Sequence, residues 1–331
     1  MRTLKSITII FSLAFVFTQV HAQEFAPVGT AVAQFLEIGV GARGSAMGEA
    51  YTALTDDAAS AFWNPAGLAQ VDRRNVHFAY NGWPAEISIG GLSFAINVED
   101  IGTFGISAIY LNTDDMLVTT LSDPEGTSGQ TFSISNYAVG LSYARFMTER
   151  LSVGLTAKLV SEEYFGYGYT TFALDLGTLY HTGFRGLNIG MSILHFGSDI
   201  KFDGEYIDFS DPKSVGVDKP KNFETYSLPI NFRFGVSIDV LEDPDNHLIA
   251  AADMIHPNNN LEQYNTGFEY GFRQLFFLRG GYKFNTDEAG LTLGLGVKYK
   301  LLDNYDVQLD YAYSDMGVLL DVHRVSFGIS F

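Results

Sequence analysis

The chain has 331 residues, no Cys, 34 Gly and a formal net charge of −18, which becomes −20 without Arg2 and Lys5. So acidic a chain lacks the basic footprint of a nucleic-acid binder. The absence of Cys fits an oxidising compartment, and the 18% of charged residues falls below the roughly one quarter of ordinary soluble domains.

Residues 1–22 read as a cleaved secretory signal peptide: Arg2 and Lys5, an apolar run from Ile7 to Phe17, then Val20-His21-Ala22 before Gln23. The run is short for a membrane helix of about 20 residues. No Cys follows to carry a lipid, and no later apolar run approaches helix-spanning length. Mean hydropathy is nevertheless positive, which points to another way of meeting lipid.

Residues 23–73 read as an N-terminal plug. The stretch from Phe35 to Ala69 is rich in Ala and Gly, unlike the rest of the chain. Ala46, Met47, Ala50, Tyr51 and Leu54 fall at helical spacing and predict one short helix. Asp56 or Asp57 would cap a second helix, Ala58 to Trp63. Asn64-Pro65 would end it, because a residue before proline leaves the α region, and Gly67 would allow a tight turn. Gly39, Gly41 and Gly44 spell G-x-G-x-x-G, but no βαβ unit surrounds them. They read as close-packing positions.

Residues 74–331 alternate with period two. In 291–299, Leu291, Leu293, Leu295, Val297 and Tyr299 oppose Thr292, Gly294, Gly296 and Lys298. In 230–240, apolar residues oppose Asn231, Arg233, Gly235, Ser237 and Asp239. Such segments of about ten residues, with aromatics at their ends, are the signature of a transmembrane antiparallel β-barrel. About fourteen strands are predicted, centred on 74–81, 86–98, 102–111, 134–146, 150–163, 170–181, 185–196, 227–240, 247–256, 261–272, 275–284, 290–301, 305–314 and 320–331. Gly90-Gly91 shifts the apolar parity of the second strand and predicts a bulge there. Short turns alternate with longer connections, of which 112–133 and 197–226 are the longest. An even count then puts both termini in the periplasm. The last strand ends on Phe327 and Phe331, and ring closure requires it to pair with the first near Val76–Tyr80, since lipid offers no hydrogen-bond partners. A fourteen-strand ring is too wide for side chains to fill, and the plug is the candidate filler.

The lumen-facing charges predicted by parity are Lys158, Asp175, Arg233, Asp239, Asp253, Glu269, Arg273, Arg279, Lys283, Lys298, Asp306, Asp310 and Arg324. The loop 197–226 carries Phe202, Tyr206, Phe209, Phe223 and Tyr226, a candidate surface for a protein partner.

Gly41-Ala42-Arg43-Gly44, Ala46-Met47-Gly48, Asp56-Asp57-Ala58 and Trp63-Asn64-Pro65-Ala66-Gly67-Leu68 resemble the N-terminal motif of the PorV/PorQ family. That family looks like a branch of the FadL-type barrels. The resemblance implies an outer-membrane component of the type IX secretion system that binds or escorts cargo or attachment-complex partners. The alternative is a FadL-type transporter for hydrophobic small molecules such as long-chain fatty acids. The charged lumen tips the sequence reading toward the first. An enzyme is not expected, since no Ser/His/acid constellation appears. No metal site is expected either, because His spacing is wrong and Asp114-Asp115 and Asp243-Pro244-Asp245-Asn246 read as turns. No cofactor is expected.

Overall fold

The structure is a computed structural model that describes residues 27–120, 122–207, 220–286, 290–301 and 304–331. The leader at 1–22 and Phe209 lie outside the described residues.

Fourteen strands close into one antiparallel barrel. In chain order they are β1 Arg74–Trp83, β2 Ile87–Val98, β3 Gly102–Asn112, β4 Ser135–Phe146, β5 Leu151–Tyr164, β6 Tyr167–His181, β7 Asn188–Gly197, β8 Asn231–Glu242, β9 Asn246–Pro257, β10 Gln263–Phe272, β11 Phe276–Phe284, β12 Leu291–Leu301, β13 Tyr305–Asp315 and β14 Asp321–Ser330. Each pairs with its neighbours in sequence, and β14 closes on β1 with Val76 opposite Ile329 and Phe78 opposite Phe327. The backbones of Arg74 and Phe331 exchange hydrogen bonds of 3.2 and 3.0 Å at the seam. Every strand edge is thereby paired, which a lipid-facing sheet requires.

The outward positions carry large apolar side chains such as Leu141, Phe172, Phe268 and Leu295, all exposed. Exposed Phe146, Phe272, Phe276 and Tyr299 stand near the short-turn end; Tyr137, Tyr264, Tyr282 and Phe284 stand near the other. These are the lipid band and aromatic girdles of a membrane barrel.

Two strand pairs carry bulges, between Leu174 and Leu176 and between Asp239 and Leu241. The bulge expected at Gly90-Gly91 is absent, because the register of β2 with both neighbours runs through unbroken. Ile89 and partly buried Ile87 instead belong to the lumen's apolar cluster, with Phe35, Leu36, Val40, Phe62 and Ile109. The outer half of the lumen is a hydrophobic core, so apolar residues are called for on both faces of the strand.

The inner filling runs the length of the barrel. Ala31 bridges Ser227 among the long loops, and the chain descends through the lumen to Arg74 at the short-turn end. The segment near Ala31 therefore sits at the long-loop end, while the two ends of the barrel, Arg74 and Phe331, lie together at the short-turn end, as an even strand count requires. Two short helices lie on the way, α1 Ala42–Ala46 and α2 Ser60–Trp63, with a 3₁₀ turn Pro65–Gln70 after them. Among the described residues no helix is long and apolar enough to cross a membrane. The helix expected over Ala46 to Leu54 is instead α1, four residues earlier. It stops because Gly48 and Glu49 take left-handed φ of 64° and 63°. Gly48 is pressed on the wall there, 2.8 to 2.9 Å from where its Cβ would meet Tyr282 N and Thr266 O.

Candidate functional site: a plugged lumen with two cavities

The plug is fastened by its backbone. Ala33 N donates to Glu162 Oε2 at 2.9 Å, and the same carboxylate accepts from Tyr164 and Tyr169. Ala42 N donates to Ser326 Oγ. Tyr51 N and Thr52 N share Asp253 Oδ2 at 3.1 and 3.0 Å. Thr292 and Ser152 donate to the carbonyls of Ala46 and Ala66. Asn64 donates to the Thr52 and Thr178 carbonyls and accepts from Ala66 N, so one amide ties the plug to the wall and caps the 3₁₀ turn. Pro65 follows with no N–H to satisfy.

The wall makes room for this backbone with glycine. Gly154 faces Gly177, Gly190 faces Gly235 and Gly267 faces Gly281 across strand pairs. A methyl group on Gly154 or Gly177 would overlap Pro65 and Ala66, on Gly190 it would overlap Thr52, and on Gly267 or Gly281 it would overlap Met47 and Gly48. Sequence reading saw these glycines only as a weakly polar lumen face. Their spacing in register was the available signal.

Trp63 is the hub of the plug. It is buried, donates from Nε1 to Val40 O at 2.8 Å and stands edge-on to Tyr51. Gly39 and Gly44 lie against its ring, Gly41 has φ 97°, and Gly67 is packed on Thr55. Met47 is fully buried against Ala50 and Ala251.

The lumen charges are mostly spoken for. Glu269 holds Arg43 through two bonds of 2.9 Å and also binds Arg279, which reaches on to Asp310. Arg43 also binds Asp56 at 2.7 Å. Glu49 of the plug pairs with Lys283, with Arg233 at 3.7 Å. Lys158 pairs with Asp175 beside His195. Asp239 sits at the inner end with His247. Arg273 does not face the lumen: it lies on the turn after β10, exposed and paired with Asp245, because the strand ends one residue earlier.

Burial pushes the Asp57 carboxyl up to about 7, with nearby Asp56 adding to the effect and Arg43 opposing it. Its Oδ1 accepts from Ala59 N at 2.9 Å. A free Asp ionises near 3.9, so between those values the folded chain keeps a proton that the unfolded chain releases. Stability accordingly falls as pH rises from about 4 to about 7. The Asp57→Asn variant should unfold at a higher temperature than the parent at pH 8 and lose that advantage at pH 4, read from the heat-induced mobility shift of the barrel on gels.

The loop aromatics turn toward one another. Phe202 stands edge-on to Tyr169 and packs at a tilt on Phe223, and Tyr206 packs at a tilt on Phe223 at 5.0 Å. Tyr226 lies opposite Ile200 in a two-residue pairing. Phe331 stacks on Tyr305 at the seam.

Two cavities lie along one segment of the plug. The outer one, of about 560 Å³, is lined by Val28, Ile38, Gly39, Glu49, Trp83, Arg233, Ile255, Lys283, Leu319 and Arg324 among others. The inner one, of about 290 Å³, is lined by Arg43, Asp57, His77, Glu269, Arg279 and Asp310 among others. The plug segment from Gly39 to Glu49 lies between them. It is pinned on the outer side by Glu49 to Lys283 and on the inner side by Arg43 to Glu269.

Residues 14–192 match UPF0164, an uncharacterised protein family. No curated protein matches the chain. Three similar solved structures are a monoaromatic hydrocarbon channel, CymD (14% identity, TM-score 0.55, covering 89% of this chain and 98% of that one), the toluene transporter TbuX of Ralstonia pickettii (13%, 0.52, 93% and 98%), and a FadL homologue of Pseudomonas aeruginosa (11%, 0.51, 85% and 95%). At such identities the likeness is one of fold: this chain shares the closed fourteen-strand barrel of these proteins.

Proposed function

We propose, from the premise that the chain belongs to UPF0164, an uncharacterised protein family, that it is a non-enzymatic outer-membrane conduit for small hydrophobic or amphiphilic molecules. The observation that carries this is the pair of cavities divided by one plug segment. A solute in the outer cavity needs only the Gly39–Glu49 segment to shift to reach the inner one, while the rest of the plug stays seated on its glycine band. The charged lumen, which counts against a conduit when read from sequence, loses that weight here. Most of those charges are bound to the plug or to each other, and the lining of the outer cavity includes apolar side chains at Val28, Ile38, Ile255 and Leu319. The similarity in fold to a monoaromatic hydrocarbon channel and a toluene transporter supports the same reading.

The secretion reading rests on the resemblance of the plug motif to PorV/PorQ. The loop aromatics Phe202, Tyr206 and Phe223 pack on each other, so no feature of the described residues adds to it. Lipid is the one macroscopic partner the surface demands.

The test is uptake into liposomes carrying the purified barrel. Toluene and decanoate should enter faster than into protein-free liposomes, while a solute of antibiotic size should not. Equal rates with and without protein would end the conduit reading.

A further inference from the structure

Four residues that line the outer cavity carry polar atoms that the fold leaves without partners. Among the described residues, Arg233 Nε and Nη1, Arg324 Nε, Asn231 Oδ1 and Asn259 Oδ1 are buried atoms with no hydrogen-bond partner. All four residues line this cavity, and each is at least nine-tenths buried. Such groups are costly to leave unpaired in a fold, and their convergence on one cavity marks a ligand that supplies what they lack.

The chemistry they select is specific. Both arginines are held in place, with Arg233 over the Trp63 ring at 5.1 Å and Arg324 over the Trp83 ring at 5.5 Å. Arg324 donates to Ser314 Oγ from Nη1, and no carboxylate of the described residues pairs with it. Glu49, the carboxylate nearest Arg233, is already held by Lys283. The lining carries Arg233, Lys283 and Arg324 against Glu37 and Glu49, an excess of one positive charge. Asn259 spends its amide N–H on Glu37, which leaves its carbonyl oxygen for a donor.

We propose that the outer cavity binds an organic acid whose carboxylate is taken by the free N–H groups of Arg233 and Arg324. The acid also carries a hydroxyl or amide N–H for Asn231 and Asn259, and its apolar tail lies along Ile38, Ile255 and Leu319. Guanidinium groups suit a carboxylate because their N–H forks match its two oxygens. A neutral hydrocarbon would leave every one of these groups unpaired. The proposal rests on the conduit reading and names the class of molecule that the site takes.

The experiment is titration of intrinsic tryptophan fluorescence in lipid nanodiscs, corrected with empty discs. The two tryptophans of the chain, Trp63 and Trp83, each carry one of these arginines. The probes are 3-hydroxydecanoate, decanoate, 1-decanol and decyltrimethylammonium. The hydroxy acid should saturate the signal at least tenfold more tightly than 1-decanol, with decanoate between them and the cation showing no saturable binding. Arg233→Gln and Arg324→Gln should each weaken the hydroxy acid about tenfold and leave 1-decanol unchanged. Should either variant fail to insert, the order of the four probes on the parent protein decides. Equal binding of the acid and the alcohol, or full affinity in a folded Arg233→Gln variant, overturns the proposal. If toluene still enters liposomes faster than the protein-free control in that case, the conduit reading survives without it. If the acid binds but nothing is taken up, the site stands and the conduit reading falls.

Discussion

Gly281→Val should leave the barrel able to insert but unseat its plug. Gly281 on β11 faces Gly267 on β10, and the Met47–Gly48 backbone lies on both. A side chain at 281 meets main-chain atoms of the plug and not a flexible tip. Overpacking a core costs about 1–3 kcal/mol when neighbours can yield, and here the neighbour is a backbone already in a left-handed turn at Gly48. The cheapest escape is to lift the segment off the wall. Planar-bilayer recordings should then show open-channel conductance that the parent lacks. Gly280→Val is the control, since its side chain would point to lipid with nothing nearer than 3.8 Å. Similar closed traces from both variants would mean that the plug tolerates displacement without opening.

Glu269→Gln should give the largest loss of stability. Glu269 is the shared acceptor for Arg43 of the plug and Arg279 of the wall, and its side chain is only 4% exposed. Removing its charge leaves two buried guanidinium groups competing for Asp56 and Asp310. Breaking a buried ion pair from one side costs about 3–5 kcal/mol. The midpoint of the heat-induced mobility shift should fall by about 10 °C, taking about 2–4 °C per kcal/mol for a chain of this order. The Arg43→Met, Glu269→Met double variant should recover part of the loss, because apolar replacement of both partners removes the unpaired charge. A double variant less stable than Glu269→Gln would show that the pair contributes more than avoidance of a buried charge.

The strands were legible because lipid imposes the same alternation along every wall segment. The rule weakened where the lumen itself turns apolar. Ile87 and Ile89 look like outward residues in sequence but pack against the plug, and a bulge was inferred to save the parity. Arg273 followed the parity of β10 one position too far, into a turn. The plug's glycine and Asn-Pro punctuation was visible as motif. Its path was not: residues 46–54 have helical spacing, but Asp253, Thr292 and the glycine band supply the hydrogen bonds and the space that hold an irregular backbone instead. The outer cavity was invisible for the same reason. Arg233 and Arg324 read only as two more lumen charges, and what separates them from the others is the N–H groups that no carboxylate of the described residues engages.

In the proposed conduit, solutes pass by movement of the Gly39–Glu49 segment between the two cavities. The chain has no Cys, so the Glu49→Cys, Lys283→Cys pair can be bridged by a short bis-methanethiosulfonate, which forms a reducible disulfide with each thiol and releases methanesulfinate, with no other thiol to react. Bridged protein in liposomes should take up toluene and decanoate no faster than protein-free liposomes, and reduction of the bridge should restore uptake. Uptake at the unbridged rate with the segment locked to the wall would mean that solutes do not pass by its movement.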